Sequence, residues 1–90
     1  MEYFSFDKDR DHSIGELVLE TLLSYNVDSI IDLNLGCNES WFSHSGNVDL
    51  LTELISRQTR LQIINLRYNR FSSSATQTLL TKIADVISSI

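Results

Sequence analysis

The side chains best placed to do chemistry are three alternating aspartates, Asp7, Asp9 and Asp11, with Ile14 following. Alternating carboxylates ahead of an aliphatic residue open a calcium-binding loop, in which successive oxygens wrap one cation. Such a loop also needs a glycine at its sixth position, for the sharp turn, and a bidentate glutamate at its twelfth. His12 and Val18 stand at those places, and Glu16 comes two residues early. The same carboxylates suit the entry to a helix, where the backbone dipole favours negative charge. Calcium responsiveness through Asp7, Asp9 and Asp11 is therefore ranked third among the functional readings. Nucleophilic chemistry has less to build on. Cys37 and His44 follow the same strand-like segment, but no third group is implied to orient the imidazole and nothing marks an oxyanion hole. One cysteine and two distant histidines give no zinc spacing, and no glycine-rich phosphate loop is present. The chain is expected not to be an enzyme, with no cofactor and no metal beyond the calcium candidate.

The elements that would position these residues recur. The segment IIDLNLGCN (residues 30–38) aligns with LQIINLRYN (residues 61–69) at an offset of 31 residues. A degenerate copy lies 29 residues before the first of these, with Met1, Phe4, Phe6 and Asp9 at the matching positions. The register continues: Gly15, Gly46 and Ala75 share a position, then Leu19, Leu50 and Leu79, then Leu23, Leu54 and Ile83. Apolar residues two apart, such as Leu33 and Leu35, share one face of a strand. Apolar residues four apart, such as Leu50 and Leu54, share one face of a helix. Each unit thus reads as strand, turn and helix, with a small residue such as Gly46 letting the helix pack closely. Strands are predicted near 2–6, 32–36 and 63–67, helices near 14–25, 47–57 and 74–87, and the strands should be parallel because a helix links each to the next. The units run about 1–29, 30–60 and 61–89 within a single domain, 1–90. The middle unit is two residues longer, with the surplus in ESWFSHS. Asn38 and Asn69, just after their strands, are expected inside, bonding backbone groups of the turn. For that reason the glycosylation sequon Asn38-Glu39-Ser40 is discounted.

The pattern LxxLxLxxN with a unit of about 28 or 29 residues resembles the ribonuclease-inhibitor class of leucine-rich repeats. The first unit departs from it, with Phe4, Phe6 and Asp9 in place of Leu, Leu and Asn, as terminal capping units do. The resemblance implies an α/β solenoid, with parallel strands on a concave face and helices on a convex face. It also implies protein binding on the concave surface. The outward-facing residues there would be Asp32, Asn34 and Gly36, and in the next unit Ile63, Asn65, Arg67 and Tyr68. Arginine and tyrosine are enriched at binding hot spots, and Ile63 is an apolar residue in an outward slot. Trp41 is a further candidate: either it or Phe42 must anchor the loop as Phe71 does in the next unit, and the other would be exposed to a partner. The alternative packs both rings beneath the loop.

Bulk composition bounds the remaining readings. The 90 residues include 12 acidic and 7 basic side chains, for a formal net charge of -5. That balance argues against nucleic acid, whose phosphates call for clustered Lys and Arg, and against an anionic membrane surface. No apolar run approaches the roughly 18 residues of a spanning helix. No segment reads as a signal peptide. A lone Cys37 fits a reducing compartment, so the expected address is the cytoplasm or the nucleus. With no proline and 3 glycines, loops must be short. The last helix presents an apolar face, and Ile90 falls where a fourth unit would begin. Either the chain is a fragment of a longer repeat protein, or it covers that end against a partner or a second copy, with Val86, Ile87 and Ile90 at the contact. A structural subunit packing through this end is the second-ranked function, behind a noncatalytic protein-interaction module whose partner is unknown.

Overall fold

Three short stretches form one parallel sheet, β1 (Tyr3–Ser5), β2 (Asp32–Asn34) and β3 (Ile63–Asn65), in the order β1-β2-β3. Between and after them lie α1 (His12–Ser24), the short α2 (Glu39–Phe42), α3 (Ser45–Ser56) and α4 (Ser73–Ser89). The computed structural model describes residues 2–6 and 12–89. The calcium candidates Asp7, Asp9 and Asp11 lie outside the described residues. The fold is thus a small α/β domain built on a parallel sheet.

Strand register places like on like. Tyr3, Asp32 and Ile63 form one row, Phe4, Leu33 and Ile64 the next, and Ser5, Asn34 and Asn65 the third. Side chains alternate across a strand, so the middle row turns inward to the helices and the outer rows share the opposite face. Ladder bonding runs past the strand ends, from Leu35 N–H to Asn65 O (2.8 Å) and from Cys37 N–H to Arg67 O (2.8 Å). This carries Leu35 and Leu66 inward beside Leu33 and Ile64. The helices follow the strand order, α3 lying between α1 and α4. Their apolar flanks and the inward strand row make a single core.

Where each segment turns, an asparagine holds the backbone. Asn38 is fully buried, and its Nδ2 donates to Phe6 O (2.7 Å), Leu35 O (2.9 Å) and Gly36 O (3.3 Å). Asn69 repeats the pattern one strand over. Its Nδ2 donates to Leu35 O (2.9 Å) and Leu66 O (3.0 Å), and its Oδ1 accepts from Asn38 N–H (2.7 Å). Each asparagine therefore ties its own turn to the preceding one, satisfying backbone groups that the ladder leaves over. The residue before each, Cys37 (φ 64) and Tyr68 (φ 59), is left-handed. Gly36 is needed for a different reason, close approach: a Cβ there would lie 3.1 Å from Arg67 O and 3.3 Å from Asn65 Oδ1.

Four features correct the expectations. First, Trp41 is no exposed anchor, since both Trp41 and Phe42 are buried. The surplus of the ESWFSHS loop coils into α2, and this one turn aims the two rings at opposite neighbours. Trp41 meets Phe6 (centroids 4.9 Å apart) and Phe42 meets Phe71 (5.0 Å). Second, the middle helix is rotated by one residue from the expected register. Asn47 and Leu51 face inward, whereas Gly46 is exposed and Leu50 half-buried. The Asn47 side chain donates to Trp41 O (2.9 Å), which fixes that rotation. Third, close packing calls for Gly15 and not Gly46. A Cβ on Gly15 would lie 2.5 Å from the Trp41 ring, whereas one on Gly46 meets nothing within 4 Å. Fourth, Val86 is buried and offers no end surface, while Ile90 and the side chain of Ile87 lie outside the described residues.

Helix ends are closed by local chemistry. Asn26 (φ 54) stands just past α1, its N–H on Leu23 O (3.1 Å) and Val27 N–H on Leu22 O (3.2 Å), the paired bonds of a left-handed helix stop. Ser72 Oγ accepts from Ala75 N–H (3.1 Å) and caps the start of α4. Past α3, the buried Gln58 accepts from Ile30 N–H (2.9 Å) and donates to Val27 O (2.9 Å) and Leu54 O (2.8 Å). One amide thereby joins the end of α3 to the entry of β2.

Candidate protein-binding face

The sheet face turned away from the helices collects most of the residues singled out by spacing. Tyr3 (69% exposed), half-buried Asp32 and Ile63 (53%) form its first row. Below them Asn34 and Asn65 do a backbone job: their Oδ1 atoms accept from Gly36 N–H (3.1 Å) and Arg67 N–H (3.0 Å). The polar row is therefore partly spent on shaping the two turns. Arg67 and Tyr68 lie past the strand end. The Arg67 guanidinium lies 5.1 Å from the centre of the Tyr68 ring, and its Nη2 donates to Tyr68 Oη (3.2 Å). Tyr68 is nonetheless 70% exposed, so the pair is held in place and still presented to solvent. A shallow depression of about 130 Å³ lies between them, lined by Asn34, Gly36, Cys37, Asn65, Arg67 and Tyr68.

Thus Asp32, Asn34, Ile63, Asn65, Arg67 and Tyr68 share one face, and Trp41 is withdrawn into the core. Tyr3 belongs to this face and was not foreseen. The signal was its position, 29 residues before Asp32 and 60 before Ile63. Cys37 and His44 open onto different depressions, Cys37 beside Arg67 and His44 beside Glu16 and Glu20. Among the described residues no group of three His, Cys, Asp or Glu side chains could hold a metal ion. No described helix is long and apolar enough to cross a membrane.

A larger hollow of about 270 Å³ opens on the helix side, between Val48 and Asp49 of α3 and Ala75 and Thr78 of α4. Its one basic residue, Arg70, is paired to Glu39 at 3.2 Å. The rest of its polar lining is the Asp49 carboxylate and serine and threonine hydroxyls. Compared with protein-family models, with curated proteins and with solved structures, the chain finds no match.

Proposed function

We propose that this chain is a short leucine-rich-repeat solenoid acting as a noncatalytic protein-interaction module, with the outward sheet face as its binding surface. The observation that carries the reading is the Arg67–Tyr68 pair. Tyr68 is an exposed aromatic in a left-handed backbone conformation, which costs a non-glycine residue about 1 kcal/mol or more. Non-glycine residues held in such conformations concentrate at binding and catalytic sites. Arg67 stacked on the ring pre-pays part of the ordering cost that a partner would otherwise impose. Exposed Ile63 and Tyr3 extend the surface with apolar area, and Asp32 supplies a carboxylate at its edge. The solenoid reading is supported by three strand–turn–helix segments stacked in order and by the asparagine bonds that join the turns. The lone cysteine favours the cytoplasm or the nucleus as its place of work.

The test is affinity capture from native extract, comparing the wild-type chain with an Arg67→Ala, Tyr68→Ala variant shown by circular dichroism to keep its fold. A protein held by the wild type and lost by the variant is expected. The same proteins on both would sink the sheet-face reading. A second reading, a subunit that packs through its open end, draws on the partial exposure of the third segment's apolar residues Ile64, Leu66 and Ile83.

A further inference from the structure

The hollow on the outer sheet face is rich in donors. Asn34 and Asn65 sit side by side in one strand row. Each gives its Oδ1 to a backbone N–H two residues on, that of Gly36 and of Arg67 respectively. Only the oxygen of a carboxamide can accept, so these bonds fix which way each amide points. The Nδ2 group is then the free end of each side chain. Among the described residues neither Nδ2 has an acceptor. Both asparagines line the hollow. Gly36 keeps it open, since a Cβ there would crowd Asn65 Oδ1 at 3.3 Å and Asn34 Oδ1 at 3.4 Å.

Arg67 adds the charge. Its Nη2 donates to Tyr68 Oη, and its other N–H groups have no acceptor among the described residues. Other arginines have carboxylate partners: Arg57 is paired with Glu53, Arg60 with Glu2 and Arg70 with Glu39. Arg67 has none, in a chain whose formal net charge is -5. Its contact with the Tyr68 ring orders the guanidinium in advance. The lining thus offers one cation and two amide donors, with the amide oxygens already bonded. Hydrogen bonds to an ionised oxygen are the strong kind, and a guanidinium matches the two oxygens of a carboxylate. Size points the same way. A hollow of about 130 Å³ suits the head of a side chain, whereas pockets for small molecules start near ~300 Å³. A single arginine suits a carboxylate, and phosphate groups are recognised by clustered arginines. Asp32, two residues before Asn34 on the same face, repels a uniformly acidic surface and so favours one placed carboxylate.

We infer that this hollow is a subsite for one carboxylate, supplied by an aspartate or glutamate side chain of a bound protein. The protein source rests on the sheet-face binding proposed above, and the chemistry of the hollow does not.

NMR of the isotope-labelled chain, titrated with sodium acetate at constant ionic strength, follows the side-chain N–H signals directly. Acetate should shift the Asn34 and Asn65 Nδ2 signals and the Arg67 Nε signal together and saturably. The Nε signals of Arg57 and Arg70, already bonded to glutamates, should stay still. Arg67→Gln should weaken acetate binding by about tenfold or more. Asn65→Asp keeps an oxygen for the Arg67 N–H, puts a second oxygen where the donor was, and should abolish binding. Asparagine signals that do not move, or arginine signals that all move alike, overturn the inference. So does inorganic phosphate bound more tightly than acetate, which would call for a phosphorylated ligand. Capture from extract separates this inference from the binding face itself. A protein lost from the Arg67→Ala, Tyr68→Ala variant but kept by Asn65→Asp leaves the face standing and ends the carboxylate subsite. Capture indifferent to both variants ends the sheet-face reading, and the protein source of the carboxylate with it.

Discussion

The second and third segments share a sequence pattern and differ in what surrounds them. Leu33 and Leu35 of the second are fully buried, and their counterparts Ile64 and Leu66 in the third are half-buried. Leu54 in α3 is fully buried and Ile83 in α4 half-buried, and Asn38 and Asn69 divide in the same way. Residue type does not account for this, since aliphatic faces aliphatic and asparagine faces asparagine. The second segment has a neighbour on both sides, whereas the third has one. In a stacked architecture, stability accrues mainly at the contacts between neighbours. The same substitution should therefore cost more in the middle than at the end.

The aromatic row offers the largest contrast. Trp41→Ala should lower unfolding free energy by ~3–5 kcal/mol, the usual cost of a core aromatic. Phe71→Ala, at the half-buried end of the row, should cost roughly half as much. Urea denaturation of both variants measures the difference, and equal losses would break the comparison. Gly15 sharpens it. Gly15→Ala drives a methyl group against the Trp41 ring and should cost ~1–3 kcal/mol by overpacking. In a Trp41→Leu background that penalty should shrink, a coupling that a double-mutant cycle detects.

Next in size is the aliphatic pair. Leu54→Ala removes a fully buried side chain and should cost ~2–5 kcal/mol. Ile83→Ala, at a half-buried position, should cost roughly half that. The turns follow. Asn38→Ala takes the amide donor from the carbonyls of Phe6 and Gly36, while Leu35 O keeps Asn69 Nδ2, and should cost about 2–3 kcal/mol. Asn69→Ala should cost about 1 kcal/mol, because water reaches a half-buried turn and takes over part of the bonding. Thermal or urea melts of both would rank them, and the reverse order would assign the asparagines a role unrelated to their neighbours.

Much of this frame was legible because strand and helix periods differ. Leucine and phenylalanine two apart mark the inward strand row, and the fixed offsets of 29 and 31 predict which residues sit side by side. What stayed hidden involves choices that hydrophobic spacing leaves degenerate. Leu50 and Leu51 are adjacent, so the helix face could begin at Gly46 or at Asn47. The amide bond from Asn47 to Trp41 O decides it, and no periodicity encodes that bond. The same holds for α2. The seven-residue loop ESWFSHS carries two aromatics, and only the one-turn coil shows that each ring has its own neighbour. Gln58 reads as a surface residue by type, and its three backbone partners come from segments far apart in the chain or one helical turn away. On the outer face, the row Asp32 and Ile63 followed from alternation. The stacking of Arg67 on Tyr68 depends on a backbone twist that the amino-acid types do not announce.

The smallest effect should also remove the contrast between segments. Cys37 and Tyr68 occupy equivalent turns with nearly equal left-handed torsions, φ 64 and φ 59, and both side chains are exposed. Replacing either with glycine relieves about 1–2 kcal/mol of backbone strain. It also gives back about 0.5–1 kcal/mol through the freer unfolded chain. Cys37→Gly should thus gain up to about 1.5 kcal/mol. Tyr68→Gly should gain slightly less, since it also loses the guanidinium stacking. Stability here depends on local torsion and not on neighbours, so middle and end should respond alike. Tyr68→Gly has a second consequence under the proposed binding role: the more stable chain should bind its partner less well. Melting temperature and capture yield, measured on one preparation, should then move in opposite directions. If both rise together, the tyrosine is a feature of the turn alone, and the binding surface must be sought elsewhere.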